Sequence, residues 1–353
     1  MTRQHEVRRS ASPDEALDRM LECGRRRAVA TDLAHARLWD ALADATEGGK
    51  RFRPALVVAA HDALGGDRPD AAAEVGAAIE MLHTAFVIHD DVIDGDDVRR
   101  GRLNVSGTFT SEALDAGAAP DDAVGLGRTA GILAGDLALA AAVRAVATCG
   151  APSAVVGRLL DLVDAALHAT AAGELADVWL ALRSETPTLP ESLVMEEQKT
   201  SIYSFSLPLQ AGAVLAGASE ATVATLGEAG RLLGGAFQLL DDLIGVFGDP
   251  ARTGKSVTGD LRAQKQTPLL VHARGTAYAD DVRRYVGRDL TEDELAEARR
   301  LLTVSGSRRF VEDLVESHLT AARTMLADLG VAVALVPGLA TCFSILDSTE
   351  EVA

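Results

Sequence analysis

Aromatic residues make up only 4 % of this chain: 353 residues include two Trp, three Tyr and eight Phe. The 48 % hydrophobic content is therefore carried mostly by Ala, Leu and Val. Ala and Leu are the strongest helix formers, so the composition leans towards an all-α fold. Cysteine is scarce as well. Cys23, Cys149 and Cys342 are far apart and form no CxxC pair, which argues against a disulfide framework or a structural zinc site and fits a reducing cytoplasm. No uninterrupted apolar run of about 18 residues occurs and the N-terminus has no apolar signal core, so the expectation is a soluble cytoplasmic protein with no membrane span. Basic residues are outnumbered, 34 against 52 acidic, for a formal net charge of −18. A general basic surface for nucleic acid is thereby excluded.

What is present is a succession of helical patterns. They run over roughly 15–45, 51–64, 70–94, 121–148, 153–183, 190–217, 219–247, 266–278, 291–303, 307–328 and 334–346, divided by segments rich in Gly, Pro and Asp. Ser12, Pro13, Asp14 and Glu15 form a helix-start signature of N-cap, first-turn proline and acids. Alternating strand patterns, fixed-period repeats and long polar linkers are lacking. The reading is a single helical domain over 13–347, between a disordered tail at 1–12 and a C-terminal tail at 348–353.

Two acidic clusters stand out. His83 to Asp94 reads HTAFVIHDDVID, an apolar helix closing on Asp90, Asp91 and Asp94. Asp90 and Asp94 are four apart, on one helix face. Such carboxylates repel and are costly to desolvate unless they share a cation. Mg²⁺ suits them, since it takes oxygen ligands, keeps waters and bridges carboxylates to substrate phosphates. Residues 237–242 read FQLLDD, again an apolar run closing on an acidic pair, Asp241 and Asp242. Either cluster alone could equally be an acidic helix end capping a loop. Basic residues are interleaved with them: Lys50 and Arg53 after Gly48-Gly49, Arg99 and Arg100 after the first cluster, Lys199-Thr200, and Lys255 after the second. Arg grips phosphate oxygens bidentately and Lys supplies a compact charge. Singly, each could be a solvated surface charge.

In order, GGKRFRP, HxxxxIHDDVID, RRGR, GELAD, KT, FQLLDD and GDPxxTGKxxxxDL span about 48–268. This chain thereby resembles the trans-polyprenyl diphosphate synthase family, which includes the farnesyl and geranylgeranyl diphosphate synthases. The resemblance implies a helical bundle around a deep central cavity, usually a homodimer, with three Mg²⁺ between the Asp-rich motifs. It implies that Asp90 and Asp94 bind two Mg²⁺ and Asp241 the third, with Asp91 and Asp242 orienting bound water. Lys50, Arg53, His83 and Arg100 would hold isopentenyl diphosphate. Arg99, Lys199 and Lys255 would hold the allylic diphosphate, with Thr200 and Gln238 lining the developing cation.

There are departures from the family pattern. Gly245 stands where the second motif often has its last Asp, Glu174 where many members have Gln, and Leu103 where Pro often follows RRGR. The expectation is that losing an outer carboxylate at 245 weakens the third metal site only, so that Gly245→Asp stays active. The chemistry implied is ionisation of an allylic diphosphate, attack by the isopentenyl double bond and loss of a proton, in an apolar cavity that keeps water from the cation. A terpene cyclase and a non-catalytic partner subunit are the rivals. A cyclase needs no second diphosphate cradle, and a subunit without activity would be expected to have lost metal ligands. Phe86, four residues before Asp90 with Ala85 beside it, is read as a floor for the growing chain. The product expected is geranylgeranyl diphosphate, with farnesyl diphosphate as the alternative.

Overall fold

The computed structural model describes residues 12–183, 187–248 and 258–330. They are helical apart from turns and one two-stranded hairpin. Two compact units are present: residues 1–163 with 208–223, and residues 164–207 with 224–353.

In the first unit, α1 (Pro13–Thr31) opens on the expected signature. Ser12 Oγ accepts from Glu15 N at 3.2 Å and Ser12 N donates to Glu15 Oε2 at 3.0 Å, a reciprocal capping box. The expected single helix over 15–45 is broken at Asp32, whose backbone is extended, and α2 (Leu33–Thr46) follows. Next come α3 (Phe52–Ala63) and α4 (Pro69–Asp94). The inner face of α4 is buried almost throughout, and the helix packs against α1, α3 and α6 (Pro120–Ala147). Gly95 ends α4 in the left-handed conformation, a standard C-terminal cap.

Strands β1 (Val98–Arg99) and β2 (Arg102–Leu103) pair antiparallel, Val98 with Leu103 and Arg99 with Arg102. Their two-residue turn, Arg100-Gly101, has positive φ at both positions, the twist-matched hairpin geometry. Helix α5 (Val105–Asp115), which the hydropathy pattern missed, is started by Asn104, whose side chain accepts from Gly107 N at 2.8 Å.

Both α4 and α6 are long and apolar enough by composition to cross a membrane. The apolar window of α4 is 78 % buried within the protein, that of α6 only 44 %. Helix α7 (Ser153–Leu182) then runs from the first unit into the second.

The expected helix over 190–217 is three segments: α8 (Leu189–Glu196), a π-helical stretch at Glu197–Ser206, and α9 (Leu207–Leu215). The wide turns are accommodated by glycines. A Cβ on Gly173 would come within 2.3 Å of Lys199 N, and one on Gly230 within 2.6 Å of Ser206 Cα. Helix α10 (Glu220–Phe247) carries the second acidic motif. The rest of the second unit is α11 (Gly259–Arg262), α12 (Pro268–Arg274), α13 (Ala279–Arg283), α14 (Glu292–Val304) and α15 (Ser307–Asp328). The helix expected at 334–346 and both expected tails, apart from Ser12, lie outside the described residues.

Candidate active site

The first acidic cluster occupies the last turns of α4, at the negative pole of the helix dipole and with no basic residue in the last turn. Its charge is met from the hairpin instead. Arg99 Nε donates to Asp91 Oδ1 at 2.7 Å and Arg99 Nη2 donates to Asp90 Oδ2 at 3.0 Å, one guanidinium spanning both carboxylates. Asp91 is the buried member, Asp90 is half-buried and Asp94 is exposed. Burial pushes the Asp91 carboxyl up to about 6, against the opposing pull of Arg99.

His83, Arg99 and Arg100 line one pocket of about 210 Å³ in this unit, together with Glu47, Gly49, Glu80 and Asp91. Burial, then the positive charges of Arg53, Arg100, Arg99 and Arg51, hold His83 well below its ordinary pKa, so it faces the pocket as a neutral imidazole. Lys50 and Arg53 are not among its lining residues. Lys50 is exposed on the preceding loop, and Arg53 is buried with its Cζ 4.4 Å above the Phe52 ring. Arg100 Nη1 donates to Glu47 O at 2.8 Å, tying the hairpin turn to that loop.

In the second unit, Lys199 and Thr200 lie half-buried on the π-helical stretch. Lys199 Nζ sits 2.6 Å from Asp177 Oδ2 and 3.1 Å from Glu174 Oε2. The Glu at 174 thus gives Lys199 a second carboxylate where Gln would offer a neutral amide. On α10, Gln238 Nε2 donates to Asp242 Oδ1 at 3.3 Å, while Asp242 Oδ2 is buried with no hydrogen-bond partner. Burial, reinforced by Asp260 and Asp241, pushes Asp242 up to about 8. Glu196, buried at the end of α8 and sharing a side-chain hydrogen bond with Asp242, is raised well above its ordinary value, first by burial. Lys255 lies outside the described residues.

Sequence reasoning missed four members of this group. Glu196, Asp177, Asp260 and Lys265 surround the predicted residues, and Lys265 Nζ lies 3.4 Å from Asp260 Oδ1. The signal for Asp177 and Asp260 was present in GELAD and in the DL pair that closes the last motif. Glu196 had none, because only the fold buries it against Asp242. The view of Gly245 also changes. A Cβ there would lie 2.3 Å from Asp260 Oδ2, so the space of the missing carboxylate is taken by another one.

These donors fit a hard divalent cation. They are oxygens, Asp242 Oδ2 is an orphaned buried acceptor, and Asp242 and Glu196 are raised first by burial and then by the carboxylates around them, so a cation there would relieve both. Among the described residues no three His, Cys, Asp or Glu side chains form a preassembled cage. Mg²⁺ is commonly held by one or two carboxylates together with water and substrate phosphates.

The chain matches the polyprenyl synthetase family model over residues 35–302. It is 32 % identical over 290 residues to a (2E,6E)-farnesyl diphosphate synthase of Mycobacterium tuberculosis, covering 80 % of this chain and 75 % of the relative. A geranylgeranyl diphosphate synthase of the same organism is 34 % identical over 304 residues, covering 83 % and 80 %. Among solved structures, geranylgeranyl pyrophosphate synthase from Corynebacterium glutamicum, complexed with isoprenyl diphosphate and magnesium, superposes with a TM-score of 0.85 at 27 % identity, over 94 % of this chain and 97 % of that one. A helical chain with two acidic motifs, matched by the family model over most of its length, belongs to the polyprenyl synthetase family, the all-α trans-prenyltransferases that make prenyl diphosphates.

Proposed function

We propose that this enzyme condenses isopentenyl diphosphate with an allylic diphosphate to give geranylgeranyl diphosphate. The observation that carries this reading is the pairing of each acidic motif's unit with its own cation: Arg99 on Asp90 and Asp91, and Lys199 on Glu174 and Asp177. Each cation is partly buried and already held by carboxylates, and can exchange carboxylate oxygens for diphosphate oxygens without a change of chemistry. Asp90, Asp94 and Asp241 would hold Mg²⁺ directly, three ions in all, with Asp91 and Asp242 acting through water. Bound there, the metal supplies Lewis-acid stabilisation of the departing diphosphate. Arg99, Lys199 and Lys255 would hold the allylic diphosphate. His83 and Arg100, with Lys50 and Arg53 beside them, would hold the isopentenyl diphosphate. The neutral imidazole of His83 can donate to a phosphate oxygen without adding a charge to the arginines around it. Thr200 and Gln238 present oxygens towards developing positive charge, and Gln238 is oriented by its bond to Asp242.

Phe86 would set the product length. It is half-buried on α4, about 6 Å before Asp90 at 1.5 Å per residue, and Ala85 beside it is fully buried. The test is to incubate the purified enzyme with isopentenyl diphosphate and each allylic primer and to separate the dephosphorylated products by chromatography. A twenty-carbon product is expected, and Phe86→Ala should lengthen it by one or more isoprene units. A fifteen-carbon product would favour the farnesyl alternative, and unchanged length in an active Phe86→Ala enzyme would place the floor elsewhere.

The functional particle is proposed to be a homodimer. Helix α6 leaves Leu126, Ile132, Leu133 and Val143 exposed on one side, an apolar face of the kind a second copy covers. Light scattering on the eluted protein should give twice the chain mass of 36.8 kDa; a monomer mass would exclude this.

A further inference from the structure

Three non-glycine residues among those described have positive φ: Arg51 at 52°, Arg100 at 54° and Gln264 at 55°. A residue with a Cβ is strained there and stays only where its surroundings hold it. Two of the three flank one buried carboxylate in the pocket of the first unit. Glu80, on the inner face of α4, is 4 % exposed and lines that pocket. Its Oε1 lies 3.3 Å from Arg51 Nη1 and would lie 3.2 Å from a Cβ on Gly49, so the loop backbone runs close against it. Its charge also acts on Arg100, supporting the protonated guanidinium against burial and the neighbouring arginines. Glu80 Oε2 is buried with no hydrogen-bond partner.

We infer that Glu80 is a positioning residue for the isopentenyl diphosphate cradle: it holds the Gly48–Arg51 loop in its strained turn and offsets the arginines that converge on the pocket. The inference rests on the assignment of Lys50, Arg53, His83 and Arg100 to that cradle. An acid beside an anion site is unfavourable if it meets the anion itself. Here it instead meets cations that would otherwise repel one another and splay apart when the site is empty. Lys50 sits between Gly49, which packs on Glu80, and Arg51, which is bonded to it. Releasing that contact would let Arg51 leave the left-handed region and carry Lys50 with it. Arg51 is also 3.5 Å from Asp14 of α1, a weaker and more exposed contact that cannot replace the buried one.

Glu80→Gln keeps the shape and removes the charge. It should raise KM for isopentenyl diphosphate about tenfold while kcat and the KM of the allylic primer change less than twofold. Arg51→Ala approaches the same contact from its half-exposed side and should do likewise, and the double variant should be no worse than either single one, the sign of a shared interaction. Lys50→Ala measured alongside separates the two levels of the argument. If Lys50→Ala raises KM for isopentenyl diphosphate and neither Glu80→Gln nor Arg51→Ala does, the positioning role is overturned and the cradle stands. Equal rises for both substrates, or a lower melting temperature with both KM values unchanged, would also overturn it, leaving Glu80 a packing residue. If Lys50→Ala leaves both KM values alone, the cradle assignment fails and this inference fails with it.

Discussion

Asp90→Ala is expected to lower kcat by at least ~10²-fold at saturating Mg²⁺, because the ligand role proposed for Asp90 would supply several kcal/mol of stabilisation felt most as the diphosphate departs. The same substitution deprives Arg99 Nη2 of its 3.0 Å partner, while the 2.7 Å bond from Arg99 Nε to Asp91 keeps the guanidinium anchored to the end of α4. Global damage should therefore be small: removing a carboxylate from the negative pole of a helix relieves repulsion there. The expected signature is an enzyme with an unchanged or slightly raised melting temperature and a severe loss of kcat. Asp241→Ala should behave alike in the second unit. Titrating Mg²⁺ against initial rate for both variants, with a chelated sample as the zero, checks this. Wild-type turnover at saturating metal would remove Asp90 and Asp241 from the direct ligands.

Gly245→Asp should be strongly inactivating, the reverse of what the motif alone implies. By motif, the position is one where a carboxylate is missing and could be restored. In the folded chain a Cβ at 245 would meet Asp260 Oδ2 at 2.3 Å, so even Ala requires the Asp260 side chain to turn away from Lys265. Asp adds a further carboxylate to a group in which Asp242 is already pushed up to about 8 and Glu196 well above its ordinary range. Placing one more buried, uncompensated charge costs ~3–5 kcal/mol, enough to displace the group or to unfold its surroundings. Activity should fall at least tenfold and the melting temperature should drop. Asp260→Asn in the same chain should return part of both by removing the opposing charge. Full activity of Gly245→Asp at a lower Mg²⁺ requirement would show that the position is open after all.

Local chemistry made much of this protein legible without a structure. The capping box at Ser12 and the apolar runs leading into Asp90 and Asp241 are written within a few residues. Their causes are helix dipoles, side-chain periodicity and backbone sterics, which act over one or two turns. The order of the motifs identified the family for the same reason, since each carries its chemistry within a short segment. Where local signals were weak, the reading failed. The break at Asp32 left no Pro or Gly as warning. The π-helical stretch at 197–206 looks like ordinary helix because its wide turns depend on Gly173 and Gly230, far away in the chain.

The fold decided what depends on distance between remote segments. That Arg99 spans Asp90 and Asp91, that Lys199 lies between Glu174 and Asp177, and that Glu196 is buried against Asp242 are consequences of packing across 8 to 46 positions of sequence. So is the occupation of Gly245's space by Asp260. Electrostatic energies depend on separation and burial, and neither is a property of a motif. The sequence by itself determined which charges this enzyme carries and that its two acidic clusters close apolar helices. Only the tertiary structure decided which of them neutralise one another, and which, like Asp242 Oδ2, are left buried without a hydrogen-bond partner.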